Sequence, residues 1–300
     1  MEKSKVCIFI PSYYPTEAKR KAARVSAHKI QMDWIEQNMP EVNVLVVAQN
    51  YKDEDYSLTS NPRVSYIKHE TGIGLCAARN ELFEAFYKSD YEWGIFTDDD
   101  CVPLKSDLIM EFFKRLQVPA NFGYADIIIP NLLWGDSDER IARREDLKVY
   151  MQKDTMTFRQ AQKQGLHWMI VRNPAKKGIE IFHPLWDTAH GEGYEDMQFC
   201  IDAMLAGLKM FKANEFIVRV PNTDAASSTI FESGRERMKY HIMSLKALNA
   251  RYEGTGIEFR TDHGTYTAPF TENSWKAIEQ KYGVGETHKE RLLNKSRKLF

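Results

Sequence analysis

Short apolar runs alternate with segments of helical periodicity through the first 130 residues. The apolar runs, which are rich in β-branched and aromatic residues, predict strands at 5–10, 42–48, 64–67, 93–96 and 126–130. Apolar positions spaced three and four residues apart predict helices at 17–38, 75–87 and 106–116. The buried face of the first helix is predicted to carry Ala27, Ile30, Trp34 and Ile35. Strands that alternate with helices favour an α/β fold with a parallel sheet.

The alternation stops after residue 130. Segment 131–165 is polar and charged, and it is interpreted either as ordinary surface or as a loop that closes over a ligand. Beyond it the pattern predicts strands at 167–171, 178–182 and 210–220, and helices at 194–206, 233–250, 272–282 and 286–299. We therefore expect a first domain over residues 1–230 and a helical C-terminal extension over residues 231–300 that packs on it.

Composition narrows the class of protein. Of 300 residues, 43% are hydrophobic and 28% are charged, which excludes collagen, coiled coil and wholesale disorder. The net charge of -1 argues against a general polycation but leaves room for a local basic patch. No stretch approaches the roughly 20 apolar residues of a transmembrane helix, and no signal sequence is recognisable. The four cysteines lack metal-ligand spacing, so a reduced, cytoplasmic protein is expected, with packing roles for Cys7, Cys76, Cys101 and Cys200.

Polar clusters follow three of the predicted strands, at Pro11-Ser12-Tyr13-Tyr14, Gln49-Asn50-Tyr51 and Thr97–Cys101. Ligands of open α/β sheets bind outside the carboxyl ends of the strands, so these clusters are predicted to meet at one binding edge. Asp98-Asp99-Asp100 is the sharpest of these features, because three adjacent acids repel one another unless a cation or hydrogen bonds compensate. Carboxylate oxygens suit Mg²⁺ or Mn²⁺. The alternative is a solvated acidic turn.

Two glycine-containing segments precede predicted helices. The first segment is Gly191-Glu192-Gly193-Tyr194-Glu195-Asp196. Helix capping alone explains one of the two acids at the helix start. The two glycines before them also let the backbone approach a ligand. A carboxylate at such a helix start can act as a general base. Thr71–Asn80 contains glycines before a helix but is neither a GxGxxG fingerprint nor a Walker A loop. Its Arg79 can bind a phosphate or a carboxylate.

Taken in order, these motifs resemble the GT-A glycosyltransferases, especially the large family 2 type, over roughly residues 5–220. The resemblance implies a Rossmann-like, mixed but mostly parallel sheet flanked by helices. It also implies transfer of a hexose or pentose from a nucleotide-diphosphate sugar, with a UDP-sugar favoured and Mn²⁺ or Mg²⁺ as cofactor. The motifs that carry the resemblance are Pro11-Ser12-Tyr13, Gly74 with Ala78-Arg79-Asn80, Phe96–Pro103, Gly193–Asp196 with Phe199-Cys200, and Ala206-Gly207.

The resemblance also implies roles for single residues. It places Asp98 and Asp100 as the DxD-type pair, with Asp98 towards the donor ribose and Asp100 on the metal. It makes Asp196 the catalytic base of an inverting enzyme, with Glu195 as the fallback. The expected donor-binding residues are Pro11, Ser12, Tyr13, Gln49, Arg79, Asp98 and Asp99.

Two positions depart from the family pattern. Gln49 and Asn50 stand where these enzymes often have an acid that contacts the base, which leaves the base open. The histidine that commonly completes the metal site after the next strand is replaced by Val220–Asp224, so Asp224 or His263 is the candidate further ligand.

The sequence leaves the class of acceptor open. Two basic segments, Lys19–Arg24 and 287–300, can be solvated helix faces, or can contact DNA phosphates or anionic lipid. Tyr13-Tyr14-Pro15-Thr16-Glu17-Ala18-Lys19-Arg20, at the start of the first helix, is similar to the corresponding segment of bacteriophage enzymes that glycosylate hydroxymethylated or already glucosylated cytosine. Double-stranded DNA in a host cytoplasm is therefore the favoured acceptor. A saccharide, lipid-linked or protein acceptor is the alternative. A nucleotidyltransferase or a non-catalytic binding module are the rival classes.

Overall fold

The computed structural model describes residues 4–58, 61–104, 107–116, 118, 122–134, 149–153, 156–160, 167–179, 195–220, 242–243, 246–248, 250–255, 258–261 and 264–267. The chain divides into two compact units. The first comprises Met1–Thr188 and Glu195–Ser228, and the second comprises Ala189–Tyr194 and Thr229–Phe300. The predicted boundary after residue 230 stays a prediction.

The first unit is built on one ten-stranded sheet. Its strands are β1 (Val6–Tyr13), β2 (Asn43–Gln49), β3 (Val64–His69), β4 (Trp93–Phe96), β5 (Val102–Pro103), β6 (Ile127–Trp134), β7 (Val149–Lys153), β8 (Met156–Gln160), β9 (Met169–Arg172) and β10 (Met210–Val220). Their order is β3-β2-β1-β4-β9-β6-β10-β8-β7, and β5 pairs with β10.

Strands β3, β2, β1 and β4 are parallel, so their carboxyl ends meet at one edge of the sheet. Strand β9 runs antiparallel to both of its neighbours, β4 and β6, whereas β6 and β10 are parallel to each other. The sheet is therefore mixed but mostly parallel in its first half, as the sequence predicts. The α/β fold class is confirmed.

Four helices of the described residues flank the sheet: α1 (Ala18–Asn38), α2 (Leu75–Lys88), α3 (Asp107–Leu116) and α4 (Glu195–Leu205). Side chains of β1 alternate between two apolar clusters, because successive residues of a strand point to opposite faces. Val6, Ile8 and Ile10 join the cluster that contains α1 and α3 residues. Cys7 and Phe9 join the cluster that contains α2 and α4 residues. The helices thus cover both faces of the sheet.

Several boundaries differ from the sequence predictions. Segment 131–165 is not wholly a loop, because β6 continues to Trp134 and β7 and β8 form a hairpin within it. Gly178 is not the start of a strand: it caps a short 3₁₀ turn, Pro174–Lys177, in the left-handed conformation at φ 67°. Ile30 is 59% exposed rather than buried on α1. All four cysteines are buried and none forms a disulfide, as expected of packing residues.

In the second unit, described residues 242–243, 246–248 and 250–251 are helical, in accord with the helix predicted at 233–250. Strands β11 (Glu258–Thr261) and β12 (Gly264–Thr267) form an antiparallel hairpin that the sequence analysis did not predict. The helices predicted at 272–282 and 286–299 lie outside the described residues. Among the residues described, no helix combines the length and apolar character that crossing a bilayer requires.

Candidate active site

The three consecutive acids form a turn directly after β4, at the carboxyl edge of the sheet. This acidic turn, Asp98–Asp100, is largely enclosed: the Asp98 side chain is 22% exposed, that of Asp100 9%, and that of Asp99 is fully buried. Buried carboxylates need partners, because an unpaired buried charge is costly. The solvated-turn interpretation therefore does not hold, and the partners define the site.

Asp98 lies between an arginine of α2 and a histidine that precedes β9. Its Oδ1 is 2.7 Å from Nη2 of Arg79, and its Oδ2 is 2.9 Å from Nδ1 of His167. Burial alone would raise the pKa of Asp98, but Arg79 and His167 outweigh it and hold that pKa well below its usual range. Burial lowers the pKa of His167 less than Asp98 raises it, so its net shift is upward. The pair is an ionic contact.

Asp99 and Asp100 share one buried arginine of α1. Nη2 of Arg24 is 2.5 Å from Oδ1 of Asp99, and Nη1 is 2.7 Å from Oδ2 of Asp100. Burial raises the pKa of both carboxyl groups although Arg24 opposes the shift. One guanidinium therefore contacts two carboxylates, and its single positive charge does not fully compensate their negative charge.

Arg79 links the acidic turn to the start of α4. This buried guanidinium donates from Nη1 to Oε1 of Glu195 and from Nη2 to Asp98. Glu195, predicted as the fallback base, is itself buried and engaged by Arg79, whereas the neighbouring Asp196 is only half-buried. Of the two acids, Asp196 is the one better placed for contact with a substrate.

A buried hydrogen-bond chain leads away from Asp99. Ser12 at the end of β1 donates to Asp99, and the Tyr51 hydroxyl donates to Ser12 Oγ at 2.6 Å. Nδ1 of His28 lies 3.0 Å from the Tyr51 hydroxyl and 3.1 Å from that of Tyr14. Burial lowers the pKa of His28 to about 3, so this histidine is neutral. Ser12 and Asp99 thus hold one another in place.

The glycine loop before α2 is fixed by Gln49. Its Oε1 accepts from the backbone N–H groups of Ile73 and Gly74 at 2.8 and 3.0 Å. Gly74 has φ 88°, a conformation that favours glycine. A Cβ at Gly72 would lie 3.0 Å from the Tyr13 ring, so the loop approaches that ring closely. Gln49 therefore shapes the loop, and half-buried Tyr13 forms part of its wall.

The remaining predicted residues divide into two groups. Pro11 is buried within β1, where it pairs with Val47 of β2. Asp224 and His263, the candidates for a further metal ligand, lie outside the described residues, as does the basic segment at 287–300. The predicted site residues that the structure brings to the carboxyl edge are Ser12, Tyr13, Gln49, Arg79, Asp98, Asp99, Asp100, Glu195 and Asp196.

The basic cluster on α1 is less available than its sequence suggests. Lys21 pairs with Asp55 at 2.7 Å, Arg24 is buried under the acidic turn, and Arg20 pairs with Glu17 at 3.1 Å. Lys19 is exposed. Most of the cluster's positive charge is therefore compensated within the chain.

Sequence reasoning missed Arg24, Gln31 and His167 as site residues. Arg24 and Gln31 lie seven residues apart on α1, a helical repeat that was hidden because both are polar. Nε2 of Gln31 donates to the carbonyl oxygens of Asp98 and Cys101 at 2.6 and 2.7 Å, which fixes the turn's backbone. His167 is positioned by strand pairing: Phe96 of β4 opposes Met169 of β9, and the same antiparallel register brings residue 167 opposite Asp98.

Comparison with solved structures agrees with this fold. The structure of GalNAc-T7 with UDP, GalNAc and Mn²⁺ aligns with a TM-score of 0.53 at 11% identity, over 93% of this chain and 55% of that one. The mannosyltransferase PcManGT from Pyrobaculum calidifontis, in complex with GDP-Man and Mn²⁺, aligns with a TM-score of 0.51 at 13% identity, over 99% and 80%. The mixed sheet flanked by helices is the α/β fold of GT-A glycosyltransferases.

A third structure aligns less well. S. aureus TarS aligns with a TM-score of 0.48 at 13% identity, and this chain spans 42% of its length. No protein-family model matches the sequence, and no curated protein matches it. At these identities the likeness concerns the fold, so activity has to be argued from the site.

Proposed function

We propose that this chain is a metal-dependent glycosyltransferase that moves a sugar from a nucleotide-diphosphate sugar to an acceptor hydroxyl. The observation that carries the proposal is the convergence of the acidic turn and the start of α4 on Arg79 at the carboxyl edge of the sheet. Ligands of this class of sheet bind at that edge. The GT-A fold supports the same reading, and its solved relatives include complexes with UDP and with GDP-Man. We favour a UDP-sugar donor.

The site suits a divalent cation. Five carboxylates, Asp98, Asp99, Asp100, Glu195 and Asp196, stand against two guanidiniums and one imidazole, so negative charge is in excess. Oxygen ligands are those that Mn²⁺ and Mg²⁺ prefer. We assign Asp100 and Asp98 to the cation, with Asp224 or His263 as the candidate further ligand. When bound, such a cation neutralises the charge that develops on the leaving diphosphate.

The chain's own residues supply positioning and proton transfer. Arg24 and Gln31 hold the acidic turn, and Arg79 orients Asp98 towards the donor ribose. Ser12, Tyr13 and the loop fixed by Gln49 bound the pocket for the base. Because Arg79 occupies Glu195, we assign proton removal from the acceptor hydroxyl to Asp196. This assignment fits an inverting transfer, in which the acceptor oxygen attacks the anomeric carbon as the diphosphate leaves.

The identity of the acceptor is a separate question from the transfer of the sugar. The sequence favours modified cytosine in DNA on two basic segments and on the resemblance of the first helix, but most of the cations of Lys19–Arg24 pair within the chain. A DNA acceptor therefore has no support from the described residues beyond exposed Lys19. Saccharide, lipid-linked and protein acceptors remain the alternatives.

A transfer screen tests the activity and the acceptor together. UDP- and GDP-sugars with Mn²⁺ are offered to unmodified DNA, hydroxymethylcytosine DNA, glucosylated hydroxymethylcytosine DNA and simple saccharides, and the products are weighed by mass spectrometry. We expect a hexose- or pentose-sized mass gain on one acceptor class. Gain on saccharides alone would exclude the DNA acceptor.

The base assignment has its own test. Asp196→Asn removes the proton acceptor but preserves the shape of the side chain, so we expect at least a hundredfold loss of transfer with donor binding within threefold of the parent. Turnover is measured with the acceptor found in the screen, and donor binding by calorimetry. Asp202→Asn, further along α4, serves as the matched control. Unchanged turnover of Asp196→Asn would eliminate Asp196 as the base.

A further inference from the structure

A mixed cluster of nitrogen, oxygen and sulfur atoms lies beside the acidic turn. Nδ1 of His167 is 2.9 Å from Oδ2 of Asp98 and 3.5 Å from Sγ of Cys101. The three atoms lie within 4.8 Å of one another, and among the described residues this is the one group of three or more such side chains that converges in this way. Cys101 is fully buried, while Asp98 and His167 are partly exposed.

The two separations that involve His167 are close to those of a tetrahedral site. A metal with bonds of about 2.3 Å to sulfur and about 2.0 Å to nitrogen holds those two atoms roughly 3.5 Å apart at the tetrahedral angle. That is the present separation of Cys101 and His167. A nitrogen and an oxygen ligand would lie about 3.3 Å apart, so Asp98 and His167 would separate by only a few tenths of an ångström.

The backbone around the cluster is held from several sides, so the three side chains are presented on a firm support. Trp168, fully buried next to His167, donates from Nε1 to the Cys101 carbonyl oxygen at 2.8 Å. Gln31 donates to the same carbonyl. Arg79 binds Oδ1 of Asp98 and leaves Oδ2 directed at His167, so a ligand on Oδ2 does not displace the arginine.

We propose that Asp98, Cys101 and His167 form a binding site for Zn²⁺, distinct in its ligand chemistry from the carboxylate site assigned to Mn²⁺ or Mg²⁺. Thiolate and imidazole ligands favour borderline-soft Zn²⁺ over these hard cations. The Cys101 thiolate neutralises one of the two positive charges of Zn²⁺, and the carboxylates around Asp98 compensate the other. Binding requires both the Cys101 thiol and Nδ1 of His167, which faces Asp98, to lose a proton, so zinc binding releases protons and tightens as pH rises.

The inference goes beyond the proposed function and does not depend on it, since metal binding is measured without donor or acceptor. It also predicts regulation of the proposed activity. Asp98 belongs to both sites, so Zn²⁺ should inhibit Mn²⁺-dependent transfer, and Cys101→Ala should relieve that inhibition.

Co²⁺ is the probe for the ligand set. The full chain is stripped with a chelator, dialysed and titrated with Co²⁺ while its absorption spectrum is recorded. We expect one equivalent to bind with a thiolate-to-cobalt charge-transfer band in the near ultraviolet and the strong visible bands of tetrahedral Co²⁺. One equivalent of Zn²⁺ should abolish both features.

Matched variants assign the ligands. Cys101→Ala should remove the charge-transfer band, and His167→Gln should weaken Co²⁺ binding at least tenfold. Cys200→Ala makes the same change at another buried cysteine that forms no disulfide, and it should leave the spectrum intact. Circular dichroism and thermal melting check that each variant folds; if Cys101→Ala does not fold, the parent spectrum and His167→Gln decide. A weak octahedral Co²⁺ spectrum of the parent, or a charge-transfer band that survives in folded Cys101→Ala, overturns the proposal.

Discussion

At the scale of single residues, Arg24 is the counter-charge of Asp99 and Asp100 in the acidic turn. Its guanidinium reaches Asp99 and Asp100 with separate nitrogens, a geometry that a lysine ammonium lacks. Burial opposes the charge on Arg24, but the two carboxylates outweigh that effect and raise its pKa. The arginine is therefore charged, and it supplies the counter-charge of two buried acids in the turn.

Replacing Arg24 should destabilise the chain strongly. Arg24→Gln leaves buried carboxylates without their counter-charge, and breaking a buried pair on one side costs about 3–5 kcal/mol. Urea unfolding measures the loss. Arg20→Gln, at the partly exposed pair with Glu17, should cost under about 1 kcal/mol. Equal effects of the two substitutions would contradict the account of the turn.

His28 should make stability depend on pH. Its pKa of about 3 in the folded chain lies below the ordinary value of 6.5, so the unfolded state takes up a proton first as pH falls. Stability from this residue is present above pH 6.5 and is lost progressively towards pH 3. Between pH 7 and 5 the loss should be about 2 kcal/mol.

The measurement is urea unfolding at the two pH values, for the parent chain and for His28→Gln. The variant lacks the titrating group but retains a hydrogen-bonding side chain at the position. Its unfolding free energy should therefore fall about 2 kcal/mol less than that of the parent over this pH interval. Parallel pH profiles for the two chains would show that His28 is not buried in its neutral form.

At the scale of elements, α1 shows what hydrophobic patterning reveals and what it hides. The pattern predicted the helix to within a residue of its observed start, Ala18, and placed Ile35 correctly inside. It placed Ile30 inside as well, yet that side chain is 59% exposed. Polar Arg24 and Gln31 point inward and donate to the acidic turn, and His28 points inward to the hydroxyls of Tyr14 and Tyr51. A scale that scores only apolarity has no means of detecting this.

Strand pairing is the second feature, at the scale of elements, that the sequence pattern does not predict. The sequence predicted the acidic turn after β4 because an apolar run ends there, and it predicted the strand that contains Met169–Val171. It contained no signal for which strands are neighbours. The antiparallel placement of β9 beside β4 brings His167 to Asp98, so the histidine could be recognised only from the three-dimensional register. Strands β7 and β8 were missed because each is a five-residue segment in which apolar and polar residues are mixed, within a region rich in charged residues.

Gly94 offers a test of packing between β4 and α2. A Cβ at this position would lie 2.9 Å from the Phe96 ring and 3.0 Å from the Phe86 ring, both of which are buried. Gly94→Ala should therefore cost about 1–3 kcal/mol through overpacking, despite the better strand propensity of alanine. Thermal or urea unfolding measures this loss. Gly207→Ala, with open space around it but φ 75°, separates steric crowding from backbone strain. A neutral or stabilising Gly94→Ala would refute the packing.

At the scale of the whole molecule, the fold was predicted well because alternation of strands and helices is a long-range regularity. The grouping of the candidate donor-binding residues at one edge followed from it, since parallel strands bring their carboxyl ends together. The acceptor could not be predicted in the same way. The chain is nearly neutral, and basic residues such as Arg20 and Lys21 pair with acidic residues of the same chain. Local basic runs such as Lys19–Arg24 are therefore a poor guide to partners until the counter-charges are known.

Calorimetric titration of nucleotide sugars tests the central claim most directly. UDP- and GDP-sugars are titrated into the parent chain with and without Mn²⁺, into Asp100→Asn, and into Asp90→Asn. Asp90 is an exposed acid just before β4, opposite the carboxyl edge. The account predicts Mn²⁺-dependent binding of one nucleotide sugar, at least tenfold weaker in Asp100→Asn and unchanged in Asp90→Asn. Absence of binding by the folded parent chain, or equal binding with and without metal in all three proteins, would contradict it.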